Sequence, residues 1–211
     1  MCFSAEASFT VGSVLVITGI LCLKKIDNSR FAWIALMPVL FGIQQLAEGF
    51  VWLYLKGVLQ NESIGHIAQI LFVVFAWALW PIYSSLALFV AEERRFNKIL
   101  SVFCFFLGLG IVYVDVAFLL REPVTATVMG NSIYYPASPM YGNFIYGTAT
   151  LAPIFLSQIK NMWMFSVCLL ISFIAAQVIW AYTFTSVWCF FVAVCSLVLL
   201  RVLPGKNKAH F

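Results

Sequence analysis

Residues 31–55 read FAWIALMPVLFGIQQLAEGFVWLYL, a run holding one acid, Glu48, and no base. A bilayer core of ~30 Å needs about 20 predominantly apolar residues per helix, so this segment alone predicts a membrane crossing. Six further runs follow the same rule, at 8–23, 66–91, 96–120, 144–159, 162–182 and 185–203. The run at 144–159 is the shortest of the set beside the first, and it contains Pro153. Composition agrees: 64% of the 211 residues are hydrophobic and 9% charged, against roughly 45–50% and about 25% in soluble domains. Mean hydropathy is +1.01. A soluble globule of this size still exposes a large part of its surface and could not hide so much apolar area. The reading is an all-α polytopic membrane protein in which residues 1–211 form a single seven-helix transmembrane domain. A disordered chain and a disulfide scaffold are excluded, and the formal charge of +4 is too small for a nucleic-acid binder.

Charge placement tests the count independently. Lys24, Lys25, Arg30, Arg94, Arg95, Lys98, Lys160, Arg201, Lys206 and Lys208 fall on one side, and only Lys56 and Arg121 on the other. The excess of base marks the cytoplasmic side. The N-terminus is then outside and the C-terminus cytoplasmic, which needs an odd number of crossings, as seven is. The segment Met1-Cys2-Phe3-Ser4-Ala5-Glu6 carries an acid and no base, and positive charge follows the apolar run. That is the reverse of a cleaved secretory signal. The expected location is the inner (plasma) membrane, with the lipid bilayer as the first partner.

The six cysteines, Cys2, Cys22, Cys104, Cys168, Cys189 and Cys195, show no CxxC pair. Most lie within apolar runs, where a thiol behaves as a small hydrophobe; Cys2 and Cys189 map near the outer face. His66 and His210 are at opposite ends and do not make a metal set. The last span has no Lys for a retinal Schiff base. No cofactor is named by this inventory.

Polar groups at membrane depth carry the functional reading, because an ionisable residue there is expensive. Glu48 lies roughly 10 Å below the outer end of its span and Asp115 roughly 8 Å below that of the fourth. Gln44 and Gln45 precede Glu48 by about one helical turn and flank its face, and Trp52 continues it outward. Gln177 and Trp180 fall near the outer end of the sixth span, and Trp188 begins the seventh. Trp77, Trp80, Pro81, Ser84 and Ser85 form a stripe on the third, where proline frees a backbone carbonyl that can line a cavity. The plainer readings are belt tryptophans at helix ends and helix packing along the Trp77–Ser85 stripe. Glu48 resists a plain reading. No base lies at its depth, so its carboxyl must be protonated, hold a cation or meet water. Asp115 is within reach of a snorkelling Arg121. The outer loop 122–143, with Tyr134, Tyr135 and Tyr141 among Pro and Gly, reads as an ordered cover over the outer side.

The opening Met1-Cys2-Phe3-Ser4-Ala5-Glu6-Ala7-Ser8-Phe9 and the block Gly42-Ile43-Gln44-Gln45-Leu46-Ala47-Glu48-Gly49-Phe50-Val51-Trp52 resemble an uncharacterised family of small bacterial integral membrane proteins. That family shares an MCFSA-type start and a QxxEGxxW second helix. The resemblance adds weight to Glu48 and to the Cys2–Glu6 segment, and it names a group without naming an activity.

Three readings stay open from sequence. The first is a binding or transport protein with an outward-facing polar cavity in the outer half of the bundle, taking a small polar solute or cation around Glu48. The second is an intramembrane enzyme with Glu48 and Asp115 as acid and base or as metal-binding carboxylates; no serine-hydrolase elbow or phosphate loop supports it. The third is a sensory or accessory subunit whose polar face meets a partner helix. A homo-oligomer is compatible with each.

Overall fold

The computed structural model describes residues 4–136 and 143–205. It is built from seven long helical segments, and six of them are long and apolar enough to cross a membrane. The chain is a multi-pass membrane protein.

Helix α1, Ala5–Lys25, starts on Ser4, whose hydroxyl accepts from Ala7 N at 3.2 Å, and ends on Lys24 and Lys25. Acid in the first turn and base in the last complement the helix dipole. It packs antiparallel on α2, Ala32–Leu55. Gly12 and Gly42 make that contact so close that a Cβ on Gly12 would sit 2.9 Å from Gly42 O, and one on Gly42 2.8 Å from Gly12 O. Without a hydrophobic drive between helices in lipid, such small residues let backbones meet.

The third crossing is continuous over Glu62–Ala91 but is not one regular helix. Helix α3, Glu62–Val73, passes through a π-wound turn, Val74–Leu79, into α4, Trp80–Ala91. In the π-turn Trp80 N donates to Phe75 O, five residues back. Pro81 would serve Ala76 O next but has no N–H. The Tyr146 hydroxyl donates to that carbonyl instead, at 2.5 Å. Helix α5, Arg95–Leu119, buries one stripe (Asn97, Ser101, Cys104, Gly108, Ile111 and Asp115) at the three-and-four spacing of a single helical face. Gly108 is needed there, since a Cβ would lie 2.3 Å from Pro81 O.

Helix α6, Asn143–Phe155, is shorter than the expected 144–159 span. Its 13 residues reach only about 20 Å at 1.5 Å per residue. Two contacts end it early. Asn97 Nδ2 donates to Leu156 O at 2.9 Å, and Glu92, buried between the loops, accepts from Ser157 Oγ at 2.5 Å and Gln158 N at 3.0 Å. Pro153 lacks the N–H for Ala149 O, and Ser85 Oγ covers that carbonyl at 3.4 Å.

Helix α7, Met162–Ile179, stops short of the expected Tyr182. The last crossing, Ala181–Val202, contains α8, Phe184–Cys195, and α9, Leu199–Val202. The expected loop 122–143 departs from all-α. It holds a hairpin of β1, Thr127–Met129, and β2, Ser132–Tyr134, with Thr127 opposite Tyr134 and Gly130 in the turn at φ +60°. The hairpin is tied down by Gln69 Oε1, which accepts from Ala126 N at 2.9 Å, and by Ser132 Oγ against Thr183 Oγ1 at 3.0 Å. Cys2, Lys206, Lys208, His210 and Tyr141 lie outside the described residues.

Candidate functional site

One face of α2 carries Met37, Phe41, Gln44, Gln45, Glu48 and Trp52, and every one of these side chains is buried. The spacing follows the helical repeat, so an apolar lower part and a polar upper part share one stripe. Glu48 is 1% exposed, and Gln44 and Gln45 are fully enclosed. Ser186, at the start of α8, donates its hydroxyl hydrogen to Glu48 Oε1 at 2.5 Å. Gln45 lies against the same carboxyl without completing a hydrogen bond. Gln44 Oε1 accepts from Trp80 Nε1 at 2.7 Å, and the Trp80 ring stacks on Phe41 at 3.7 Å. The Gln44 amide also faces the buried thiol of Cys189. Cys189 is thus a buried neighbour of Glu48.

The hairpin completes the site. Tyr135, just beyond β2, is 2% exposed and stacks on Phe72 of α3 at 4.6 Å. Burial pushes its phenol well above the ordinary tyrosine range, and the Glu48 carboxylate and Cys189 push it further. It is therefore a neutral donor held within electrostatic reach of Glu48. Sequence reading placed a polar cavity open to the outer side here. Instead, Ile133, fully buried, and Tyr135 close that side. The adjoining cavity, about 40 Å³, lies on the other side of the polar layer and is mostly apolar, with Phe41, Trp80, Trp188 and Cys189 in its wall.

Several polar atoms in this region have no hydrogen-bond partner among the described residues: Gln44 Nε2, both side-chain polar atoms of Gln45, Tyr135 Oη and Trp188 Nε1. Leaving a buried donor or acceptor unsatisfied carries a penalty of about 1–3 kcal/mol each. Gln44, Gln45 and Tyr135 gather around an acid with no basic partner among the described residues, and Trp188 stands in the wall of the adjoining cavity.

The other sequence candidates go elsewhere. Asp115 is buried on α5, which packs on α4, the π-turn and α6, whereas α2 packs on α1, α3, α4 and α8. The two acids thus sit on helices that both pack on α4. No group of three His, Cys, Asp or Glu suited to a metal occurs among the described residues. Trp77 turns to Phe118 of α5 and leaves the expected Trp77–Ser85 stripe, because the π-turn rotates it away from Trp80. The carbonyl freed by Pro81 is capped by Tyr146 and does not line an open cavity. Gln177 accepts from Asn143 Nδ2 at 2.8 Å and fastens α7 to α6. Trp52 is buried under Lys56, whose ammonium stands 5.3 Å from its ring centroid. Glu6 is exposed in the first turn of α1.

Ser186 was not singled out from sequence, Cys189 only as a thiol mapped near the outer face, and Tyr135 only as part of a covering loop. The chain belongs to a family of unknown function (DUF6629), which matches residues 1–210. No curated protein and no solved structure matches it.

Proposed function

We propose that this multi-pass membrane protein is a binding or transport protein whose site for a small polar solute or cation is the enclosed centre around Glu48. The observation that carries the reading is the cluster of buried polar atoms without a hydrogen-bond partner among the described residues, on Gln44, Gln45 and Tyr135 around one acid and on Trp188 in the adjoining cavity wall. A bundle can satisfy its interior polar groups, and this one caps the carbonyls beside Pro81 and Pro153 with hydroxyls from other helices. Unspent hydrogen-bonding capacity beside Glu48 suits an exchangeable occupant. Arg94, Arg95, Lys98, Lys160 and Arg201 gather at the end of the bundle opposite the hairpin, which supports seven crossings with the hairpin outside.

The test compares wild type, Glu48→Gln and Glu48→Ala by melting from about pH 5 to pH 8, alone and with sodium, ammonium, urea or acetate. Glu48→Gln preserves size and removes the titrating group, so it should keep the fold and lose any pH- or solute-dependent shift. A Glu48→Gln protein identical to wild type in every condition would refute the site. For orientation, Ser132→Cys should label from outside the cell and Lys160→Cys only after permeabilisation.

A further inference from the structure

The unpartnered atoms are not an even mixture. Gln44 Nε2, Gln45 Nε2, Trp188 Nε1 and Tyr135 Oη can all donate, while Gln45 Oε1 is the one unpartnered group that can only accept. Gln44 Oε1 is already taken by Trp80, and Ser186 spends its hydrogen on Glu48. A dehydrated cation such as calcium wants about 6–8 oxygens, and this centre cannot supply them. Its chemistry favours an occupant that accepts hydrogen bonds.

The cavity next to the donors adds a second constraint. Trp80 and Cys189 belong to both the polar centre and the cavity wall, which continues through Trp188, Phe41, Met37 and Leu169. The hydroxyls that line it are already committed: Ser84 donates to Trp80 O at 3.0 Å, Thr150 to Tyr146 O at 2.9 Å and Tyr146 to Ala76 O. What remains for a guest is apolar surface. About 40 Å³ is far below the roughly 150 Å³ that admits benzene, so the tail it accepts is one or two carbons long.

We propose that the Glu48 centre takes a short monocarboxylic acid, its carboxyl group among the donors of Gln44, Gln45, Tyr135 and Trp188 and its tail in the apolar cavity. The inference rests on the reading of this centre as a solute site. Two carboxylates side by side in a low-dielectric interior cannot both stay ionised, so one proton is held between the ligand and Glu48. Binding of the anion takes up one proton where Glu48 is ionised in the empty site and none where Glu48 already holds it, and no bond is made or broken otherwise. The neutral phenol of Tyr135 and the indole of Trp188 donate without titrating.

The experiment is calorimetric titration of the full chain in phosphatidylcholine nanodiscs with acetate, propionate, hexanoate, ammonium and sodium between about pH 5 and pH 8. Acetate should bind saturably, and propionate about fourfold tighter for its extra buried methylene. Hexanoate should not bind. Affinity for the anions should be level while the empty-site Glu48 holds its proton and weaken by up to about tenfold per pH unit once it has lost it, since the proton must then come from solution. Glu48→Gln should retain propionate binding with a flat pH profile, and Trp188→Phe should weaken it about tenfold while leaving melting near wild type. Saturable binding of sodium or ammonium with none of either short acid would overturn this inference and leave the solute-site reading standing. Hexanoate binding as well as propionate, unaffected by Trp188→Phe and Tyr135→Phe, would be membrane partitioning and would also overturn it. If no probe binds and Glu48→Gln melts like wild type at every pH, both readings fall.

Discussion

The Tyr146 hydroxyl gives the sharpest structural test. Tyr146→Phe removes one oxygen from a buried ring and changes little else in packing, because the Phe ring keeps the contact with Trp188 at 5.4 Å between centroids. It takes away the only hydrogen bond described to Ala76 O, a carbonyl orphaned by Pro81 in the π-turn. An unsatisfied buried carbonyl costs about 1–3 kcal/mol. For a chain of this size that corresponds to roughly 2–4 °C in melting temperature per kcal/mol. The cause can be isolated with a double-mutant cycle. Pro81→Ala restores an N–H at the position that would serve Ala76 O, so Tyr146→Phe should cost at least about 1 kcal/mol less in that background than in wild type. The assay is thermal or detergent-induced unfolding of the four proteins. Equal penalties for Tyr146→Phe in both backgrounds would refute the account of the π-turn, whatever the size of the single effect.

Glycine placement offers a paired measurement. Gly108→Ala should destabilise by more than about 1 kcal/mol, because its Cβ would collide with the Pro81 carbonyl at 2.3 Å, whereas Gly110→Ala, with nothing within 4 Å, should be neutral or stabilising by up to about 1 kcal/mol. The same unfolding assay checks both, and equal effects would remove the α4–α5 close approach. Gly42→Leu should separate α1 from α2, since even a Cβ meets Gly12 O at 2.8 Å; cysteine crosslinking between the two helices should fall. Glu92→Ala should free Ser157 Oγ, Gln158 N and Asn97 together, for a loss of about 2–4 kcal/mol, with faster proteolysis between α6 and α7. Unchanged cleavage there would exclude the Glu92 clamp.

The membrane class and the stripe Gln44–Gln45–Glu48 on α2 were legible because both are local. Hydropathy is a property of a window, and the helical repeat puts those three side chains together without reference to any other part of the chain. The partners were not legible for the opposite reason. Ser186 meets Glu48 across 138 residues of sequence, and nothing about a serine in an apolar run marks it for that role. Tyr135 was readable as part of a covering loop, yet its insertion to Phe72 depends on the hairpin being fastened at Gln69 and Thr183. The length of α6 failed on the same principle. Hydropathy runs on through Leu156 and Ile159, but Asn97, in the first turn of α5, and Glu92, in the loop before it, satisfy backbone groups just past Phe155 and stop the helix. Trp77 was misplaced because a period of 3.6 was assumed through a segment that winds with five-residue hydrogen bonds.

The two kinds of polar group inside this bundle argue for different origins. Pro81 and Pro153 each strand a carbonyl, and in each case a hydroxyl from a neighbouring helix covers it. Glu92, although buried at a loop, accepts from Ser157, Gln158 and Asn97. At each of these three places a partner has been supplied, whereas Ser101 Oγ on α5 has none among the described residues. Around Glu48 the pattern reverses: two glutamines, a tyrosine and a tryptophan bring more donors than the protein uses, and none of them is required to repair a broken helix. Apolar residues of similar volume would pack there without the penalty of about 1–3 kcal/mol per unsatisfied group. Donors left over once Gln44 has accepted from Trp80 and Tyr135 has stacked on Phe72 fit the proposal that they hold something when the site is filled. That inference leads to a ligand with acceptors for the donors and a small apolar end for the space beneath them.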